Sequence, residues 1–167
     1  MKYLYALLVL ATLTAPSCEP ENSISGSRTV ITQLAIYNFD VAVEPDADGD
    51  LLPVFTASDS TIILQLTRTQ DLDISTTGDE RNETILIVID RDATSIDLSG
   101  SDWDDVKSFA FLSETAVTST VARITGGTLR GDRLAMDNSW ILFGEVELSA
   151  DLGNTFPTVM DGTYASR

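Results

Sequence analysis

Asp46-Ala47-Asp48-Gly49-Asp50 places three carboxylates at alternate positions around a glycine. Calcium takes hard oxygen ligands gathered by a tight turn, so Asp46, Asp48 and Asp50 are candidate calcium ligands. A loop of the EF-hand type also needs glycine at its sixth position and glutamate at its twelfth. Counted from Asp46, those positions hold Leu51 and Ala57, and the nearest later carboxylate is Asp59. The simpler expectation is a solvated acidic turn between two strands, with no cofactor.

Asp102-Trp103-Asp104-Asp105 sets an aromatic ring among three acids. An exposed indole can stack on a sugar ring while carboxylates accept its hydroxyl hydrogen bonds, which makes Trp103 a candidate ligand-binding residue. The competing expectation folds Trp103 onto the sheet, because aromatic burial contributes strongly to a core. Trp140 opens an apolar run and is expected in the core.

The catalytic inventory is thin. The chain contains no histidine, so Ser-His-Asp and Cys-His catalysis and histidine-ligated zinc are excluded. Paired carboxylates could hydrolyse glycosides, but no pair stands in an apolar setting that would raise one pKa for general-acid duty. A carboxylate-based hydrolase is therefore the least favoured reading, and the expectation is no enzyme. Gly126-Gly127 lacks the longer glycine pattern of a phosphate loop. Arg130-Gly131-Asp132, the tripeptide that integrins recognise, is expected in a hairpin after that glycine pair and is short enough to arise by chance.

The elements that must position these residues read as β throughout. Threonine, valine and isoleucine abound after Arg28, and stiff β-branched side chains suit a pleated surface. Expected strands are Thr29–Phe39, Leu52–Thr56, Thr61–Thr69, Thr84–Asp90, Ser95–Leu98, Val106–Leu112, Val117–Thr125, Arg133–Met136, Trp140–Ser149 and a last segment near Gly162–Ala165. A short helical turn fits Asp102–Asp105, and Gly126-Gly127 reads as a turn. Ile62, Leu64 and Leu66 alternate with Ile63, Gln65 and Thr67, so the first set should face a core and the second mostly solvent. Val146 and Leu148 alternate with Glu145 and Glu147 in the same way. Ile85 to Ile89 is apolar throughout, as in a central strand covered on both faces. Closely spaced strands and polar turns predict an all-β domain over residues 28–167, an antiparallel β-sandwich of Ig-like or Greek-key-like type, with a β-barrel as the alternative.

Residues 1–17 have another composition. Lys2 precedes the apolar run Tyr3 to Ala15, and small or turn-prone residues lead to Cys18, the one cysteine of the chain. That order is an export signal, excluded from fold reasoning. Ser17-Cys18, with Ala15 three positions before the cysteine, resembles the lipobox of bacterial lipoproteins. The resemblance implies cleavage before Cys18, acylation of its thiol, and anchorage in outer-membrane lipid, facing the periplasm or the cell surface. Glu19-Pro20-Glu21 resembles the acidic tracts that send some lipoproteins to the surface. Ala15-Pro16-Ser17 also fits ordinary secretory cleavage, which would leave a secreted protein, and an uncleaved anchor is the third possibility. The segment 18–27, rich in Glu, Pro, Ser, Asn and Gly, has the composition of a flexible tether.

The formal charge is −16, from 10 Lys and Arg against 26 Asp and Glu. Phosphate binding depends on cations that displace counterions, so nucleic acid is excluded as a partner, as is broad contact of the domain with anionic lipid. No later apolar run approaches the roughly 18 residues that span a bilayer. Ile124 to Leu129, Gly144 to Leu148 and Gly162 to Ala165 form a closing series loosely similar to the last strands of small bacterial β-sandwich lipoproteins. The expectation is a non-catalytic lipoprotein with a structural or adhesive role at the cell envelope, its partners being membrane lipid and an envelope protein or glycan. A calcium-stabilised carbohydrate- or protein-binding module is second.

Overall fold

The computed structural model describes residues 27–71, 80–114, 117–149 and 155–167. The expected signal segment, Cys18 and the tether up to residue 26 lie outside them. The described chain is all-β: β1 (Arg28–Pro45), β2 (Leu51–Asp71), β3 (Glu80–Asp90), β4 (Ser95–Ser99), β5 (Ser108–Glu114), β6 (Val117–Arg133), β7 (Trp140–Ser149), β8 (Thr155–Val159) and β9 (Gly162–Ser166). A 3-10 turn, Gly100–Asp104, joins β4 to β5. Among the described residues no helix is long and apolar enough to cross a membrane.

Pairing runs β1–β2–β3–β5–β6–β7–β9, and β9 pairs in turn with β1. β4 lies on β6, and β8 on β7. All these ladders are antiparallel except β1–β9, so the sheet is mixed and not purely antiparallel as expected. The parallel contact satisfies backbone groups that β1 would otherwise leave unpaired: Arg167 donates to the Ala35 carbonyl at 2.9 Å, and Tyr37 N donates to the Arg167 carbonyl at 3.2 Å.

One face of the sheet carries the larger core. Ile62, Leu64 and Leu66 stand opposite Ile89, Ile87 and Ile85 in the β2–β3 register, and with Trp140, Leu142, Val146, Leu148 and Tyr164 they form a continuous buried cluster. β3 is covered on both faces as expected, with Leu86 joining a second cluster on the opposite side.

That second cluster comes from a fold-back that period-two alternation does not encode. The two expected strands Leu52–Thr56 and Thr61–Thr69 are one strand, β2, which bends at residues 58–61. Across the bend Tyr37 pairs with Ile62, whereas Phe39 pairs with Ala57. Asn38 faces the bulge at φ 64°, a left-handed conformation that asparagine tolerates better than most residues. The Thr61 hydroxyl donates to the Phe39 carbonyl at 2.8 Å and closes the corner. Beyond it, the arm of Phe39–Pro45 and Leu51–Ala57 brings Val41 against Ile63, Leu86 and Phe111. Ile63, expected among mostly solvated residues, is 0% exposed for this reason. Each such aliphatic burial contributes about 1.5–3 kcal/mol.

Three further expectations change. Gly126-Gly127 lies inside β6, paired with Glu147 and Val146 just past a bulge at Thr125, and is not a turn, so β6 continues to Arg133. The expected strand Arg133–Met136 is instead the end of β6 and a turn, closed by Leu134 N on the Ser139 carbonyl at 2.7 Å. β8 has no counterpart among the expected strands; Pro157 is tolerated in it because its described ladder is with β7 alone and edge strands accept proline.

Candidate functional site

The acidic turn after β1 is built around one side chain. Asp46 Oδ1 accepts hydrogen bonds from the backbone N–H groups of Asp48 and Asp50, each at 2.9 Å. Asp46 N donates to the Asp50 carbonyl at 2.8 Å. This is the local side-chain capping that aspartate brings to turns, and it commits one Asp46 oxygen to the loop's own backbone. Among the described residues no group of three or more His, Cys, Asp or Glu is arranged to hold a metal ion.

Trp103 lies in the 3-10 turn between β4 and β5. Asp102 Oδ2 accepts from Ser99 N at 2.9 Å and fixes the start of that turn. The indole is 4% exposed, within the larger core. Its Nε1–H donates to the Gly127 carbonyl at 3.2 Å. The ring therefore presents no broad platform to solvent, but its edge lines a cleft of about 400 Å³.

That cleft opens where two ladders part. β5 leaves β6 at the Ala110–Ala122 pair, and β4 joins β6 only from Thr128. β5 stays with β3 instead, Val88 N donating to the Lys107 carbonyl at 2.9 Å. Lys107, Ser108 and Phe109 line one wall and Arg123 and Thr125 the other, with Trp103 at the end. Lys107 Nζ is 2.8 Å from Asp40 Oδ1. The Arg123 side chain is exposed and makes no ion pair or hydrogen bond within the described structure.

A second cavity, about 480 Å³, sits at the end of the sheet where β1 begins. The core-facing ladder of β2 and β3 changes there from aliphatic to polar: after Leu66–Ile85 come the pairs Arg68–Glu83 and Gln70–Arg81. Arg68 donates to Glu83 Oε2 at 2.8 Å, and the Thr158 hydroxyl donates to Glu83 Oε1 at 2.6 Å. Arg68 also reaches the Val159 carbonyl at 3.1 Å. Below this layer Tyr164 is buried, and its hydroxyl donates to the Met160 carbonyl at 3.1 Å. Burial pushes the Tyr164 phenol well above its usual range, because an ionised oxygen would be desolvated there.

The opposite end is closed. Tyr37 donates to the Asn138 carbonyl at 2.6 Å, Trp140 Nε1 donates to the Tyr37 hydroxyl at 3.3 Å, and the Arg133 guanidinium lies 5.2 Å from the Tyr37 ring centre.

These sites offer binding chemistry more readily than acid–base chemistry. Both oxygens of Glu83 accept hydrogen bonds from Arg68 and Thr158. Arg130-Gly131-Asp132 lies within β6, paired on one side with β4 and on the other with β7, so the expected hairpin presentation is replaced by a central strand. The Asp46–Asp50 turn and Trp103 are not brought together, since one caps the β1–β2 arm and the other sits beside β6. The Arg68–Glu83 layer had a sequence signal in the alternation Ile62-Leu64-Leu66, which continues to Arg68 and Gln70. Arg123 had none, because its surroundings come from β4 and β5. Comparison with known proteins found no matching family model, no matching curated protein and no matching solved structure.

Proposed function

We propose that this chain is an exported lipoprotein, acylated on Cys18, whose non-catalytic all-β domain has a structural or adhesive role at the outer membrane. The observation that carries the reading is the order of residues 1–18, an apolar run ending in the one thiol, followed by a first strand that starts at Arg28. Two or more acyl chains hold a protein at lipid firmly, each buried methylene contributing about 0.8 kcal/mol. A tether over residues 18–27 would lift the domain about 20–30 Å off the surface at full extension. Arg28 pairs with Asp71, so the polar end of the sheet is the end the tether enters.

For the body we infer closure of the sheet into a barrel, the alternative to the expected sandwich. The succession of pairings from β1 round to β9 and back to β1 supports it. The sandwich reading draws on the arm that covers Ile63 and Leu86.

Radiolabelled palmitate tests the anchor in cells that express the chain. Label on the wild type and none on Cys18→Ala is expected; an unlabelled wild type, or equal label on both, sinks it. A ligand-binding role is the second reading, and the cleft beside Trp103 and Arg123 favours it.

A further inference from the structure

The cleft between β5 and β6 combines three properties found together in sites for small organic acids. Its first property is charge. In a chain of net charge −16 with 26 acidic residues, Arg123 still has no partner within the described structure. Lys107 lines the same cleft with its ammonium held by Asp40, and Asp104 is the one carboxylate among the described lining residues. A guanidinium offers a planar fork of donors that matches a carboxylate in two parallel hydrogen bonds.

The second property is an apolar wall. Trp103, Val106 and Phe109 line the same space, and the Trp103 ring is fixed by its bond to Gly127, so little ordering is left to do on binding. The third is size and shape. About 400 Å³ falls within the range of small-molecule sites. The splayed strands leave the cleft between fixed walls: β5 is held by β3, and β6 by β7 through the Arg123–Ser149 and Ile124–Leu148 pairs.

We propose that this cleft binds a monocarboxylate with a compact apolar body, its carboxylate on Arg123 and its body against Trp103 and Phe109. A dianion is disfavoured, because Asp104 and the acidic surface oppose a second negative charge. A cation is disfavoured by the unpaired Arg123 guanidinium. The proposal rests on the ligand-binding reading and not on the anchor, so a failed titration and a failed palmitate label are separate results.

The experiment titrates the full chain with 3-phenylpropanoate and, in parallel, with the neutral 3-phenylpropanol, by calorimetry and tryptophan fluorescence. The expected result is saturable binding of the acid with a change in indole emission, and affinity about tenfold lower for the alcohol, which lacks the charge-assisted bonds. Arg123→Gln should lose about tenfold for the acid and leave the alcohol unchanged. Asp104→Asn should tighten the acid by a few fold. Arg123 is exposed and unpaired, so its substitution leaves the fold intact, which the melting temperature checks. Equal affinity for acid and alcohol, absence of saturation, or an Arg123→Gln protein that binds the acid as the wild type does would each overturn the proposal.

Discussion

Lys107 Nζ lies 2.8 Å from one Asp40 oxygen and 2.9 Å from the other, joining the folded-back arm to the start of β5. Asp40 follows the corner at Asn38 and precedes Val41, the fully buried residue of the arm. Its carboxylate also accepts from Val41 N at 2.7 Å. The Lys107 hydrogen bond is the main reason the Asp40 carboxyl sits below the ordinary aspartate value of 3.8. The ion pair and the Val41–Leu86 packing thus act on the same hinge, and their contributions can be separated.

Because the folded-state pKa of Asp40 is depressed, its stabilisation is present above the unfolded value and is lost as pH falls through the folded one. Lys107→Ala should cost at most about 1 kcal/mol at neutral pH, the pair being partly exposed, and nothing in strong acid. Val41→Ala should cost about 2 kcal/mol from lost packing at both pH values. Urea denaturation at the two pH values checks this, and a Lys107→Ala penalty that persists in acid contradicts the assignment.

Gly127 pairs with Val146 just past the β6 bulge at φ 94°, where an added Cβ would run into the Glu145 carbonyl oxygen and approach Val146 Cα to 2.7 Å. Gly127→Ala should therefore cost about 3 kcal/mol or more, from backbone strain plus overpacking. Gly49 has a similar φ of 90° but open space around it. Gly49→Ala should show the strain alone, about 1–2 kcal/mol. Equal midpoints for the two variants would show that the β6–β7 ladder yields.

At the polar end, the Arg68 and Glu83 side chains are 27% and 14% exposed. Removing one partner of so enclosed a pair leaves the other under-satisfied, so Glu83→Gln should cost about 1–3 kcal/mol. Adding Arg68→Met should recover part of that loss, since breaking a buried pair costs more than replacing it. A double-mutant cycle reads the coupling, and strictly additive losses would rule it out.

The Asp46 turn predicts indifference to calcium. One Asp46 oxygen already serves the Asp48 and Asp50 amides, so the melting temperature should be the same in calcium and in chelator. Asp46→Ala should cost about 1 kcal/mol in either, as the loss of a local cap. A rise in melting temperature with calcium that Asp46→Ala abolishes would favour the metal reading instead.

Local periodicity carried much of the fold into the sequence. Alternation at Ile62-Leu64-Leu66 and at Val146-Leu148 identifies core-facing strand residues, because successive side chains of a strand point to opposite faces. The unbroken run Ile85 to Ile89 likewise announces a strand with cover on both sides. The composition around Cys18 and the missing histidine set what chemistry the chain can offer. None of these readings requires knowing which strands are neighbours.

Tertiary structure decided what lies against each face. Ile63 alternates like a half-solvated residue and is buried in a cluster with Leu86, Phe111 and Val41, the last carried there beyond the Asn38 corner. Gly126-Gly127 satisfies the backbone needs of a turn and of a strand next to a bulge equally well, and pairing with β7 selects the strand. Arg123, Trp103 and Lys107 line one cleft because β5 and β6 separate after a shared ladder, a long-range event with no local pattern. Periodicity is a property of one strand, whereas burial, bulges and clefts belong to pairs of strands, and pairing is what the chain acquires on folding.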